Sequence, residues 1–117
     1  MSDAEYDVIR QISHNKNDFF RLLEIGAGNG NALSRVHYLY PNAAIWGIEK
    51  IPAVIQSGLR TVPLLYYDWE CGDLPFIENF FDYIIYNNRA DSIPPKEKII
   101  LTFSKYLTNG GKIFFTF

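Results

Sequence analysis

The sequence is poor in the residues that build disulfides and metal sites. Its 117 residues include one cysteine and two histidines. A single cysteine excludes an internal disulfide, and no cluster has the spacing of zinc ligands, so we expect no metal site. We interpret Cys71 as a small loop residue.

Long apolar runs and a strong charge of one sign are also missing. No stretch approaches the roughly 20 apolar residues of a membrane span. The first residues lack a basic start followed by an apolar segment, so we expect no signal peptide and a cytoplasmic protein. The formal net charge of −2 argues against nonspecific nucleic-acid binding.

Apolar and aromatic residues are plentiful. Hydrophobic residues make up 48% of the chain and aromatic residues 16%, which is enough for a packed core. No repeat, linker or low-complexity tract divides the chain. We therefore expect one domain over 1–117.

Short apolar runs alternate with amphipathic segments along the chain. The expected strands are 19–25, 43–49, 61–67, 81–87 and 112–117, and the expected helices are 2–13, 31–40, 52–57 and 94–107. Strands that alternate with helices predict an α/β fold with parallel strands, right-handed crossovers and helices on both faces.

Three local signals refine these elements. Ser2 with Glu5 predicts a capping box at the start of the first helix. Pro63 removes one backbone donor and favours an edge strand. The pair Asn109–Gly110 is typical of a left-handed helix cap, so "TNGG" is expected to end the last helix.

A glycine-rich turn stands between the first strand and the second helix. Gly26, Gly28 and Gly30 permit positive φ and a close approach of the backbone to a ligand. The following helix presents free N–H groups at the carboxyl edge of the sheet. Two interpretations stay open at this point: a ligand site, or a turn that needs glycine only for tight packing.

The spacing of the glycines helps to distinguish a dinucleotide from other ligands that the turn could bind. The dinucleotide fingerprint requires its third glycine where this chain has Asn31. Glu24, just before the turn, disfavours a pyrophosphate and suits a ligand that carries an ammonium group. An NAD-dependent oxidoreductase remains an alternative because of the distance from the glycines to Glu49.

The stretch "LLEIGAGNG" resembles the first motif of class I S-adenosylmethionine (SAM)-dependent methyltransferases. "IWGIE", "YYDWE", "LPFIENFFDYIIYNN" and "LTNGGKIFF" follow in the order typical of that family, so the resemblance covers about 20–117. It implies a three-layer Rossmann-like open sheet with strand order 3-2-1-4-5. It also implies a SAM-binding domain that lacks the usual C-terminal antiparallel strand pair.

The resemblance assigns contacts with SAM, or its product S-adenosylhomocysteine (SAH), to particular positions. These are Gly26, Ala27, Gly28 and Gly30 under the methionine part and ribose, Glu24 at the amino group directly or through water, Glu49 at the ribose hydroxyls, Asp68 and the Trp69 backbone N–H at the adenine, Lys50 and Ile51 beside the adenine, and Asn87 near the methionine end and the acceptor.

Structural alternatives exist for several of these residues. Glu49 could be a solvated acid at a strand end, Asp68 a turn cap and Trp69 a packing residue. Asn87 could be a turn residue. Asp91 could be a base in the acceptor pocket or, more simply, a helix cap.

The implied function is methyl transfer by direct displacement to an unidentified small-molecule or protein acceptor. The chain could be the enzyme or its cofactor-binding part; the alternative is a non-catalytic SAM-binding or interaction module. "NNRADSIPP" does not match the Asn/Asp-Pro-Pro-aromatic signature, so a nucleic-acid acceptor is not expected. The apolar strand at Lys112–Phe117 suggests a fragment of a larger protein, self-association through this edge, or a relic without transfer.

Overall fold

The computed structural model describes residues 2–51, 62–69, 73–87 and 94–116. The strands are β1 (Arg21–Ile25), β2 (Ala44–Glu49), β3 (Leu64–Tyr66), β4 (Phe81–Tyr86) and β5 (Leu107–Phe115). The helices are α1 (Asp3–Arg10), α2 (Asn31–Leu39) and α3 (Lys96–Phe103), followed by a 3₁₀ turn at Ser104–Tyr106. The helix expected over 52–57 lies outside the described residues.

All five strands are parallel and belong to one open sheet of order β3-β2-β1-β4-β5. This confirms the predicted fold class. In the register of the sheet, Glu24 of β1 lies between Gly47 of β2 and Ile85 of β4. The carboxyl ends of the three central strands therefore meet at one edge.

Two apolar cores cover the two faces of the sheet, because successive side chains of a strand point to opposite sides. Helices α1 and α2 pack on one face, against Leu22, Tyr83 and Ile85. Helix α3 packs on the other face, against Leu23 and Ile84. The prediction of helices on both faces is thus confirmed.

Two of the local signals in the sequence, the capping box and the proline of the edge strand, have counterparts in the structure. The Ser2 hydroxyl accepts a hydrogen bond from the Glu5 amide at 3.2 Å, and the Glu5 carboxylate accepts from the Ser2 amide at 3.2 Å, as a capping box requires. β3 lies at the edge of the sheet, as Pro63 predicts, but it covers Leu64–Tyr66 rather than 61–67, so Pro63 lies just before the strand.

The C-terminal elements differ from the prediction. Helix α3 ends at Phe103 rather than near Leu107, and "TNGG" lies inside β5 instead of capping the helix. The amides of Asn79 and Phe80 donate to the carbonyls of Lys105 and Tyr106, at 2.9 and 3.0 Å, and draw this segment into the sheet. Tertiary hydrogen bonding therefore overrides the local cap signal.

The glycines of "TNGG" lie in an irregular part of β5, where its pairing register with β4 shifts. Phe81 pairs with Leu107, but Tyr83 pairs with Lys112, so β5 contains extra residues between the two pairs. Gly110 adopts a φ of 85° within this bulge, a conformation that glycine adopts readily.

A polar contact anchors the segment that precedes β1. The buried Tyr83 hydroxyl accepts from the Ser13 amide at 3.2 Å and lies 2.7 Å from Nδ1 of His14. Because Ser13 N–H is the donor in the first contact, the Tyr83 hydroxyl proton is available for His14 Nδ1. Burial raises the pKa of Tyr83 above its ordinary value.

Candidate functional site

The glycine turn has the backbone conformation that its sequence predicts. Gly26, Gly28 and Gly30 have φ values of 78°, 62° and 88°, all in the left-handed region. The amides of Gly26 and Ala27 donate to the Ile48 carbonyl of β2, at 2.9 and 3.1 Å. These two hydrogen bonds hold the turn against the carboxyl end of β2.

Helix α2 starts directly from the turn. Gly30 is its N-cap and has no side chain to cap the helix, whereas the Asn29 side chain accepts from the Asn31 amide at 3.2 Å. A Cβ on Gly30 would lie 2.9 Å from Cγ2 of Val62, so this position is closed to other residues by space as well as by φ. The helix N-terminus and its backbone donors face the same edge of the sheet as the strand ends.

Glu49, the last residue of β2, is tied to the turn. Its buried carboxylate accepts from the Gly28 amide at 2.9 Å through Oε1. Oε2 accepts from the amides of Lys50 at 2.9 Å and Ile51 at 3.2 Å. Glu49 is thus a buried acceptor that holds the turn and the chain after β2, rather than a solvated strand-end acid.

Glu24 and Asn87 meet across the ends of β1 and β4. Both side chains are buried, and Nδ2 of Asn87 donates to Oε2 of Glu24 at 3.2 Å. The Asn87 amide also continues the sheet by donating to the Ile25 carbonyl at 2.8 Å. The two residues are 63 positions apart in sequence, and the parallel pairing of β1 with β4 brings them together.

The residues after β2 and β3 lie beside the same edge. Ile51 is half exposed, and the Lys50 ammonium lies 5.0 Å from the centre of the Trp69 ring. The Trp69 side chain is buried in the core beneath α3. Asp68, just before it, is partly exposed.

One residue that supports the site was missed at the sequence level. Gly47 pairs with Glu24 in the sheet, and a Cβ there would lie 2.6 to 2.8 Å from the side chains of Leu33, Ala27 and Leu64. Its missing side chain lets α2 and the turn pack against β2. A lone glycine inside the apolar run "AAIWGIE" was the available signal.

Other candidates fall outside this arrangement. Cys71, Asn88 and Asp91 lie outside the described residues. Within the described ranges, no group of three or more His, Cys, Asp and Glu side chains could hold a metal ion. None of the helices seen in those ranges is long and apolar enough to cross a membrane.

Comparison with known proteins places this arrangement in context. A family model described as "Methyltransferase domain" matches residues 16–116. A search of curated proteins found no match.

Several solved structures share the fold at low sequence identity. A SAM-dependent methyltransferase from Mesorhizobium loti is 18% identical, with a TM-score of 0.72; the match covers 97% of this chain and 52% of that one. The YcgJ protein from Bacillus subtilis is 18% identical, with a TM-score of 0.73, and the match covers 96% and 49%.

A third match was solved with the cofactor bound. Phosphoethanolamine N-methyltransferase 2 from Haemonchus contortus, in complex with SAM, is 18% identical with a TM-score of 0.77 over 95% of this chain and 27% of that one. The chain thus spans about half the length of the first two proteins, and less of the third.

Proposed function

Because this chain belongs to the methyltransferase domain family, we propose that it binds SAM at the carboxyl ends of β1, β2 and β4. In this proposal it forms the cofactor-binding part of a SAM-dependent methyltransferase. The observation that carries the proposal is the buried carboxylate of Glu49, held against the Gly28 amide at the edge of the glycine turn.

The chemistry of the residues fits this cofactor. Acids lie at or near the carboxyl ends of three neighbouring strands: Glu24 one residue before the end of β1, Glu49 at the end of β2 and Asp68 shortly after β3. SAM offers hydrogen-bond donors to acids, namely an ammonium group, two ribose hydroxyls and the adenine amino group. A dinucleotide would instead bring a pyrophosphate to this acidic edge, where like charges repel.

The proposal keeps the predicted contact for each residue. The turn from Gly26 to Gly30 supports the ribose and the methionine part, and Glu49 accepts from the ribose hydroxyls. Asp68 and the Trp69 backbone N–H meet the adenine, with Lys50 and Ile51 beside it.

Methyl transfer from SAM requires little acid–base chemistry from the chain itself. When bound, SAM supplies a sulfonium whose methyl group is transferred by direct displacement. The residues around it orient the two reactants and exclude water. Asn87, at the end of β4, is the residue we place nearest to the methionine end and the acceptor.

Calorimetric titration tests the binding proposal. We expect micromolar binding of SAM and SAH and no binding of NAD. Binding of NAD alone would contradict the proposal and favour the oxidoreductase alternative. Well-folded protein that binds none of the three would make the glycine turn an architectural feature only.

A transfer assay separates the enzyme from the non-catalytic module. SAM is incubated with the chain and pools of small-molecule or protein acceptors, and SAH release is measured. SAH release that depends on the acceptor supports the enzyme. Binding of SAM without release in any pool favours the module.

We propose a contact surface at the outer edge of β5. β5 pairs with β4 on one side, and no strand of the described chain pairs with its other side. The apolar side chains of this segment are only partly buried against the two cores, and a second copy or a further domain that pairs with the edge would cover them more fully. Sedimentation at rising concentration checks self-association, which should appear as a larger species as the concentration increases. A monomer at all concentrations would exclude the second copy.

The proposed location is the cytoplasm, and fractionation of cells that produce the chain checks it.

A further inference from the structure

We propose that a cavity at the amino edge of the sheet binds a small aromatic anion, at a site separate from the glycine turn. The cavity has a volume of about 380 Å³ and lies between the segment before β1 and the end of α2. We call it the amino-edge cavity. The residues that line it are His14, Lys16, Tyr38, Leu39 and Tyr40.

Helix α2 separates the amino-edge cavity from the glycine turn. The turn leads into the first residue of the helix, Asn31, whereas the cavity contacts its last residue, Leu39. The nine residues of the helix span roughly 13 Å. A ligand with a single aromatic ring cannot touch both places, so binding in the cavity does not depend on the proposed SAM site.

Two nitrogen donors in the lining lack partners. Nδ1 of His14 accepts from the Tyr83 hydroxyl, 2.7 Å away, so the neutral imidazole carries its proton on Nε2. Among the described residues, nothing accepts from Nε2, and the Lys16 ammonium has no ion pair. The described lining contains no acid, and Asp18 in the same segment accepts from the Asn15 amide at 2.9 Å. An anion would supply an acceptor for both donors.

The end of α2 opposes an anion only weakly. The last turn of a helix carries a partial negative charge of roughly half a unit. The Tyr40 amide donates to the Val36 carbonyl at 2.8 Å, and the Ala43 amide donates to the Tyr40 carbonyl at 3.1 Å, so two carbonyls there are already bonded. The full positive charge of Lys16 exceeds this partial charge, and the lining therefore favours an anion.

The rings of the lining favour a flat apolar group beside the negative charge. The His14 ring lies 4.6 Å from the ring of buried Phe20, and Tyr40 packs edge-on against the same ring at 5.2 Å. Tyr38 is 72% exposed, and the Arg35 guanidinium lies 5.3 Å from its ring centre. A cavity of about 150 Å³ is enough for benzene, so the amino-edge cavity has room for a ring and its anionic group.

An NMR titration of the chain without SAM tests the proposal. Phenyl phosphate and benzoate are the aromatic anions, benzyl alcohol is a ring without a charge, and inorganic phosphate is an anion without a ring. We expect saturable shifts of the backbone amides of His14, Lys16 and Tyr40 with the aromatic anions. The tighter of the two identifies the anionic group. Benzyl alcohol and inorganic phosphate should bind at least about tenfold more weakly.

Lys16→Glu reverses the charge of the lining, and Lys98→Glu is its matched control. Both lysines are exposed and both substitutions change the net charge equally, but Lys98 lies on α3, at the other face of the sheet. Lys16→Glu should weaken binding of the aromatic anion by about fivefold or more, and Lys98→Glu by less than about twofold. Thermal unfolding shows whether both variants are folded.

Three results would overturn the proposal. The absence of saturable shifts with either aromatic anion would mean that the cavity does not bind this class of ligand. Equal weakening by the two lysine substitutions would mean that only the overall charge matters. Shifts centred on Gly26 and Gly28 would place the anion at the glycine turn instead.

Discussion

Replacement of Glu49 by alanine tests two roles of one carboxylate. The wild-type side chain accepts from three backbone amides, those of Gly28, Lys50 and Ile51. Ile51 and Lys50 are at least partly exposed, so water can replace the lost partner there. The Gly28 amide is buried, and leaving it unsatisfied costs about 1–3 kcal/mol.

Glu49→Ala should therefore destabilise the ligand-free protein by about 2 kcal/mol, which lowers Tm by roughly 10 °C for a domain of this size. The lost bonds from the ribose hydroxyls should also raise the Kd for SAH by about tenfold to a hundredfold. Glu49→Gln is the matched control, because it retains one carbonyl oxygen for Gly28 and should fall between the two proteins.

Thermal unfolding and calorimetry give the two readouts separately. An unchanged Tm in Glu49→Ala would refute the argument that the carboxylate holds the turn. An unchanged Kd for SAH, in a variant shown to be folded, would refute the ribose assignment.

Three further substitutions probe packing on the two faces of the sheet. Gly47→Ala should destabilise the protein by about 1–3 kcal/mol in chemical denaturation, because its Cβ overlaps Ala27 and Leu33; wild-type stability would show that α2 shifts freely. Tyr83 has a raised pKa in the folded state, so its contribution to stability is complete below pH about 10 and is lost as pH rises further. Tyr83→Phe should flatten this loss in denaturation at alkaline pH, and an unchanged slope would contradict it. Trp69→Phe removes a buried indole N–H that has no partner among the described residues, but it also removes part of the core packing beneath α3. We therefore expect a loss of about 1–3 kcal/mol in denaturation, and wild-type stability would contradict the packing role of the indole.

Much of the fold could be predicted because its signals are local and consistent. Apolar runs bounded by glycine and proline gave the strands, and their alternation with helices gave a parallel sheet. The positive φ of Gly26, Gly28 and Gly30 was predictable because few other residues tolerate it.

The start of β5 could not be predicted because its cause is distant in sequence. "TNGG" carries a strong cap signal. The amides of Asn79 and Phe80 decide the outcome by bonding to the carbonyls of Lys105 and Tyr106.

The residues of the candidate site could be predicted from the sequence, whereas the contacts between them could not. The resemblance singled out Glu24, Glu49 and Asn87 one by one, as separate ligand contacts. Their bonds to one another and to Gly28 arise only when β1, β2 and β4 lie side by side. The burial of the Trp69 indole likewise depends on α3, which lies far along the chain.

The central claim is that the glycine turn and Glu49 form a cofactor cradle, and an NMR titration with SAH tests it most directly. The account predicts saturable shifts of the backbone amides of Gly26, Gly28 and Lys50, with little change for amides of α1. Saturable shifts confined to other parts of the sheet, or no shifts at millimolar SAH, would contradict it.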